Sequence, residues 1–199
     1  MKRLLIVLAM SLVMVACKKD EIEIDPKKVS VEDSYYEIDP AELIGTYWKN
    51  STEARTEYFD NNGKLVAVTS GEWIGGIWPT IMKFEENTIW SLEYNLSERY
   101  AGELTVNYDI NGNTIMFFTD KFEIQYTMFT KDIMLRCVTS STIDAPYTTK
   151  DGIEIKKGYC KKQYRMLKRK SEESLQSILD VLYRNNIDFS GNDDGYIHL

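Results

Sequence analysis

Strict alternation of apolar and polar residues is the clearest pattern in the chain. Residues 104–110 read Leu-Thr-Val-Asn-Tyr-Asp-Ile, the pattern of a strand with one buried face. The dipeptide Asn111-Gly112 follows and favours a two-residue hairpin loop, because a type I′ turn needs positive φ at both central residues. This turn predicts Tyr108 opposite Ile115, which keeps apolar residues on one face of both strands.

Further hairpins follow along the chain. Asn61-Asn62-Gly63 predicts one turn, and a three-residue loop after residue 85 would set Phe84 opposite Trp90. A two-residue loop after residue 130 would set Tyr126 opposite Cys137. Sequential hairpins of this kind predict an antiparallel meander.

A long meander has edges that must be hidden, and closure into a barrel hides them completely. The sequence therefore predicts an all-β fold, an antiparallel up-and-down barrel of about eight to ten strands. An open sheet or a sandwich is the alternative. Ser171 is then a candidate N-cap for one C-terminal α-helix, whose apolar stripe comprises Leu175, Ile178, Leu179 and Leu182. The stripe predicts packing on the barrel wall, with partner binding as the alternative.

The first residues combine a basic start with a short apolar run. Two basic residues precede residues 4–15, and these 12 residues are too few for a membrane-spanning helix, which needs about 20. The pattern is typical of a signal peptide, predicted at residues 1–16. It ends in Met14-Val15-Ala16-Cys17, which resembles the lipobox of bacterial lipoproteins. The resemblance implies lipidation of Cys17 and a stable membrane anchor. An ordinary signal with an incidental cysteine is the alternative.

The segment behind Cys17 bears on localisation and domain organisation. Lys18-Lys19-Asp20-Glu21 resembles the surface-export signal of Bacteroidetes lipoproteins, and a merely solvated charged tether is the alternative. We therefore expect a lipid-anchored protein of the cell envelope, at the outer membrane. Residues 17–40 predict a flexible tether, although residues 29–36 could dock on the domain. The barrel is predicted at residues 41–170, and the helix and tail at residues 171–199.

Composition and charge narrow the classes of function. The formal net charge is −7, so the chain has no electrostatic reason to bind nucleic acid. Cys137 and Cys160 could form a disulfide outside the cytoplasm or remain separate thiols. His198, the only histidine, lies at the chain end, where a catalytic imidazole is seldom held. With no zinc-ligand spacing and no phosphate loop, we expect no metal, no cofactor and no enzyme activity. A carboxylate-based hydrolase is the alternative.

Three segments resemble one family. Residues 43–48, Leu-Ile-Gly-Thr-Tyr-Trp, resemble the Gly-x-Trp opening of lipocalin-like proteins, with tyrosine where Trp usually stands. Residues 104–115 and 126–135 resemble later hairpins of the same barrel. Together with the lipobox, they make the chain similar to the lipocalin-like lipoproteins of Bacteroidetes over residues 41–167. The resemblance implies a β-barrel, often with a cavity, and no particular substrate.

Aromatic residues supply the candidate binding site. Trp73 and Trp78 flank a glycine pair and could form a lid at the barrel mouth, or plug that end as core. The predicted inward faces add apolar walls with a few polar groups, from Trp90, Tyr94, Tyr108 and Tyr126. We expect the barrel to bind a small apolar or amphipathic ligand. The alternative is a packed barrel that serves as a structural or protein-interaction module of a cell-surface assembly.

Overall fold

The fold is a closed antiparallel β-barrel with a helix on its outer wall. The structure is a computed structural model, and it describes residues 27–72, 79–118 and 123–187. Its elements in chain order are α1 Pro40–Leu43, β1 Tyr47–Phe59, β2 Leu65–Glu72, β3 Thr80–Phe84, β4 Thr88–Asn95, β5 Tyr100–Asn111, β6 Thr114–Phe118, β7 Glu123–Thr130, β8 Ile133–Thr142, β9 Tyr147–Thr148, β10 Glu154–Ile155, β11 Cys160–Lys170 and α2 Glu172–Arg184.

Eight strands form the ring of the barrel. Antiparallel pairing runs in the order β1-β3-β4-β5-β6-β7-β8-β11, and β11 pairs with β1 to close the ring. The other edge of β1 is shared, because β3 pairs with residues 47–49 and β2 pairs with residues 53–59. An irregularity between Asn50 and Ala54 separates these two halves of β1. The predicted antiparallel barrel is therefore confirmed.

Aromatic and aliphatic side chains fill one half of the barrel interior, which we call the closed half. Its members with no accessible surface are Trp48, Phe84, Ile89, Ile115, Phe117 and Met134. Ile38 and Leu43 belong to the same cluster, so the chain around α1 closes this end. A side chain with no accessible surface borders no water-sized void. The closed half is therefore packed to the density of a protein core around these residues.

Helix α2 packs on the outer wall, as its apolar stripe predicts. Leu182 is fully buried in a cluster with Leu92, Tyr94 and Ala101 of β4 and β5. Ile178 and Leu179 pack against the same cluster, and Ser171 is the N-cap residue. Among the described residues, neither helix is long and apolar enough to cross a bilayer.

Residues 29–34, predicted within the tether, lie on the outer wall of the barrel; we call them the N-terminal strap. Val31 is buried there in a cluster with Phe129, Leu135 and Tyr164. Ser30 and Ser34 are buried as well. For this segment the docked alternative is the one observed, so the folded part of the chain begins earlier than residue 41.

A buried ion pair beneath the strap fixes its backbone. Arg55 Nε donates to Glu57 Oε1 at 2.7 Å, and both side chains are almost inaccessible to solvent. The backbone N–H of Val31 donates to the same carboxylate oxygen at 2.9 Å. The Arg55 guanidinium also donates to the carbonyl oxygen of Val29. One ion pair thus satisfies backbone groups at two positions of the strap.

The β5–β6 hairpin has a register that differs from the predicted one. Tyr108 lies opposite Phe117 and not opposite Ile115, a shift of two residues. The turn is centred on Gly112 and Asn113, with positive φ at Gly112. Because side chains alternate with period two, this shift leaves every side chain on its predicted face.

The β3–β4 hairpin differs by one residue, which has larger consequences. Phe84 lies opposite Ile89 and not opposite Trp90. A shift of one residue exchanges the two faces of a strand. Ile89 therefore belongs to the closed half of the interior, and Trp90 packs against α2 on the outer wall.

Candidate functional site

The barrel wall opens between β7 and β8. The two strands leave the predicted loop with Thr130 opposite Ile133, but their pairing ends at Thr127 and Leu135. An irregularity between Met128 and Thr130 shifts the register by one residue, after which the strands separate. The predicted pairing of Tyr126 with Cys137 is therefore wrong.

A cleft of about 480 Å³ occupies this opening; we call it the lateral cleft. The strap forms one of its sides with Val31 and Glu32. Gln125 and Cys137 contribute from the two separated strands, and Arg136 lies at its inner side. The volume falls within the range of small-molecule sites, which is about 300–1,000 Å³.

Behind the lateral cleft lies a group of polar side chains on the inward face of the barrel. This inner polar cluster comprises Glu93, Tyr126, Arg136 and Arg165, which interact through their charges and a hydrogen bond between Arg136 and Tyr126, and all except Arg136 are buried. Glu93 has no accessible surface, and Arg165 is 8% exposed. Arg136 belongs to the cluster and also lines the cleft. It therefore connects the opening in the wall with the barrel interior.

The register places the two arginines of the cluster directly opposite each other. Arg136 of β8 pairs with Arg165 of β11, so both side chains leave the sheet on the same face. Met134 and Leu167, two residues further along each strand, belong to the closed half, which identifies that face as inward. Like charges opposite each other on a sheet are destabilising, so this pair has an electrostatic cost.

Burial and neighbouring charges shift the ionisation of the cluster. Burial lowers the pKa of Arg165, and the charge of Arg136 lowers it further, whereas Tyr126 and Glu93 raise it. Burial also raises the pKa of Tyr126, while the charges of Arg136 and Arg165 and a hydrogen bond with Arg136 oppose that rise. The phenol thus stays protonated well into the alkaline range.

The raised pKa of Tyr126 predicts a loss of stability in base. Below about pH 10 the phenol is protonated in both the folded and the unfolded chain, so its full contribution to the free energy of unfolding is present. Above that pH the unfolded chain ionises while the folded chain keeps the proton, so the free energy of unfolding falls by about 1.4 kcal/mol per pH unit for this group. Tyr126→Phe should therefore flatten the decline between pH 10 and 11.

Urea unfolding at pH 8, 10 and 11 measures this slope. Tyr35→Phe, at a side chain that is 82% exposed, serves as the control and should leave the slope unchanged. A slope that is the same in Tyr126→Phe and in the native chain would contradict the prediction.

The aromatic residues that were predicted to line the interior lie in different parts of the structure. Tyr126 is inward and buried, and Tyr108 lies edge-on to Phe84 with its hydroxyl donating to the carbonyl oxygen of Glu85 at 2.9 Å. Trp90 and Tyr94 were predicted to be inward, and this is wrong, because both pack against α2 on the outer wall. Trp73, Trp78 and the predicted lipidation site Cys17 lie outside the described residues.

Cys137 and Cys160 are both free thiols. Cys137 lies opposite Tyr164, and Cys160 lies opposite Thr142, so the strand register does not place the two cysteines opposite each other. An irregularity at Tyr164 contributes to the offset. Of the two alternatives, the structure shows separate thiols, and Cys137 is an exposed side chain of the lateral cleft.

The residue pattern alone missed the charged members of the cluster. Glu93 and Arg136 stand two residues from Ser91 and Met134, so each falls on an inward face. The sequence signal for these positions is a charged residue that falls on the same face of its strand as the core residues two positions away. Of the described residues, no group of three or more histidine, cysteine or acidic side chains could hold a metal ion.

A second groove, of about 650 Å³, lies where β1 and β11 meet the start of α2. Its lining consists mainly of polar residues such as Lys49 and Lys170, and it does not include any member of the inner polar cluster. We therefore take the lateral cleft with the inner polar cluster as the candidate site. Comparison of the sequence with protein-family models and with curated proteins finds no match.

Proposed function

We propose that the protein is a lipid-anchored lipoprotein of the cell envelope whose lipocalin-like barrel binds a small amphipathic ligand through the lateral cleft. One observation carries the binding proposal: the cleft between β7 and β8 leads to a buried charged cluster beside a packed apolar core. Burying charged groups costs stability unless they are well paired. Charged groups that converge on a concave opening are therefore candidates for a binding role.

The filled closed half limits where a ligand can lie. Because residues such as Trp48 and Phe117 have no accessible surface, a long apolar ligand has no space around them. The supported site is the cleft and the inner polar cluster behind it. The same packing favours a second candidate function, a ligand-free structural or protein-interaction module.

Binding is favoured over hydrolysis by the composition of the cluster. Glycoside hydrolysis, the reaction in which paired carboxylates are best established, needs two of them about 5–10 Å apart. Glu93 is the only acidic residue of the inner polar cluster, and of the two acidic residues that line the cleft, Glu32 and Glu123, the first forms an ion pair with Lys162. The proposal is therefore a binding protein and not an enzyme.

Obstruction of the cleft tests the binding proposal. The chain from Lys18 to Leu199 contains every described element, and calorimetric titration would use three amphiphiles with an eight-carbon chain: octanol, octanoate and octylammonium. Gln125→Trp places a large side chain at the cleft and should weaken binding at least tenfold. Asn107→Trp, at another exposed amide on the outer wall of β5, is the matched control and should bind normally.

Two results would contradict the proposal: failure of all three amphiphiles to bind, and equal binding by the two tryptophan variants. The anchor is tested separately in the full chain. Labelled palmitate should be incorporated into the native protein and not into Cys17→Ser.

A further inference from the structure

We propose that the apolar part of the ligand binds in the place that Val31 occupies, and that binding displaces the N-terminal strap from the barrel wall. This inference rests on the proposed binding function and adds to it the position of an apolar subsite and the step that opens it. In the structure the subsite is covered, because Val31 fills it and is itself only 3% exposed.

The lateral cleft exposes almost no apolar surface while the strap is docked. Its apolar lining side chains are all buried, at 1–6% exposed, and they are Val31, Ile124, Leu135 and Tyr164. The rest of the lining is polar and includes the acidic Glu32 and Glu123. Removal of apolar surface from water is what drives an alkyl chain to bind. An amphipathic ligand therefore needs apolar surface that the docked strap covers.

That apolar surface lies directly beneath Val31, the one buried apolar side chain of the strap. Val31 packs in a cluster with Phe129, Leu135 and Tyr164, one each from β7, β8 and β11. Leu135 and Tyr164 also line the lateral cleft, so this surface is continuous with the cleft. Once Val31 leaves, the three side chains of the wall form an apolar subsite at the side of the cleft.

The strap is held mainly by polar contacts at its two ends. At one end the carbonyl oxygen of Val29 accepts from Arg55, and at the other Asn113 Nδ2 donates to the carbonyl oxygen of Ser34 at 2.8 Å. Between these ends, Val31 is the single buried apolar anchor. Segments with few buried apolar contacts open locally at a lower free energy than the core of a fold. The strap therefore leaves the wall more readily than the barrel unfolds.

Val31 and the ligand compete for the same surface. The apparent affinity of the ligand is its intrinsic affinity multiplied by the fraction of molecules whose strap is displaced. A substitution that weakens the hold of Val31 should therefore tighten ligand binding. Truncation of a side chain that contacts the ligand would weaken it instead, so the sign of the change separates displacement of the strap from a fixed wall.

Hydrogen exchange in the chain from Lys18 to Leu199 measures the displacement. When the strap is docked, the N–H of Val31 donates to Glu57 Oε1 at 2.9 Å, which protects the amide from exchange. Saturating octanol should accelerate this exchange at least fivefold, because molecules with bound octanol lack the hydrogen bond. The amide of Ile115, in the closed half, is the reference and should exchange at the same rate with and without octanol.

Calorimetric titration with octanol tests the competition. Val31→Ala should bind octanol at least threefold more tightly than the native chain does. Val66→Ala, at a valine of β2 that is 36% exposed, is the matched control and should bind octanol as the native chain does. If Val31→Ala does not fold, Ser30→Ala takes its place. The hydroxyl of Ser30 accepts from the N–H of Asp33 at 3.0 Å, so its removal loosens the strap and should also tighten binding.

The outcomes separate this inference from the function on which it rests. If octanol binds, Gln125→Trp blocks it, and exchange of the Val31 amide slows or stays unchanged, the cleft binds ligands with the strap in place and the displacement is overturned. Equal or weaker octanol binding by Val31→Ala would also overturn it. If neither the native chain nor Val31→Ala binds any of the three amphiphiles, the binding function itself fails.

Discussion

Replacing Trp48 by alanine is expected to lower the free energy of unfolding by about 3–5 kcal/mol, the usual cost of truncating a buried aromatic residue. Trp48 has no accessible surface and packs with Ile38 and Leu43 at the closed end of the barrel. Its indole Nε1 donates to the hydroxyl of Thr46 at 2.8 Å. The truncation therefore leaves a cavity and also removes the donor to a buried hydroxyl.

Urea unfolding followed by circular dichroism measures the effect on Trp48→Ala. Tyr35→Ala is the control, because it removes an aromatic side chain that is 82% exposed and should change stability by less than about 0.5 kcal/mol. Equal destabilisation by the two variants would contradict the packed core described for the closed half.

The barrel could be predicted because its signals are local. Alternation in β5 and the turn chemistry at Gly112 act within a few residues, and both point to the same antiparallel pairing. The exact register could not be predicted, since pairing Tyr108 with Ile115 or with Phe117 leaves the same residues in the core. Only the geometry of the turn distinguishes the two pairings.

The face of β4 could not be predicted because both of its faces are buried. Ile89, Ser91 and Glu93 point inward, while Trp90 and Tyr94 point outward beneath α2. Sequence patterns assign the apolar face to the interior, and here the larger aromatic residues lie on the outer wall. The helix that covers them comes about 80 residues later in the chain, so no local pattern reveals it.

The candidate site depends on interruptions of regular pairing, and these leave little trace in the sequence. The lateral cleft exists because β7 and β8 stop pairing after Thr127 and Leu135. An irregularity at Tyr164 determines which residues lie opposite Cys137. Bulges commonly occur near functional sites, yet neither position carries a glycine that would have predicted one.

The strap over the cleft leads to the second large expected effect. Arg55→Met should lower the free energy of unfolding by about 3–5 kcal/mol, because it leaves the carboxylate of Glu57 buried without its cationic partner. The variant also removes the contact of the guanidinium with the ring of Phe129, 4.7 Å from the ring centroid. The backbone of Val29 loses a hydrogen-bond donor as well.

A matched surface variant and a double variant separate the causes of this effect. Lys168→Met breaks a partly exposed ion pair with Glu53 and should cost no more than about 1 kcal/mol. Arg55→Met combined with Glu57→Leu removes both buried charges, so it should recover most of the global stability. The double variant lacks the acceptor for the Val31 N–H, which Arg55→Met retains, so hydrogen exchange at that amide should be faster in the double variant than in Arg55→Met. Only a buried carboxylate that has lost its partner lowers the free energy of unfolding by more than an exposed one does. Equal losses of stability in Arg55→Met and Lys168→Met would therefore mean that the buried pair does not hold the strap.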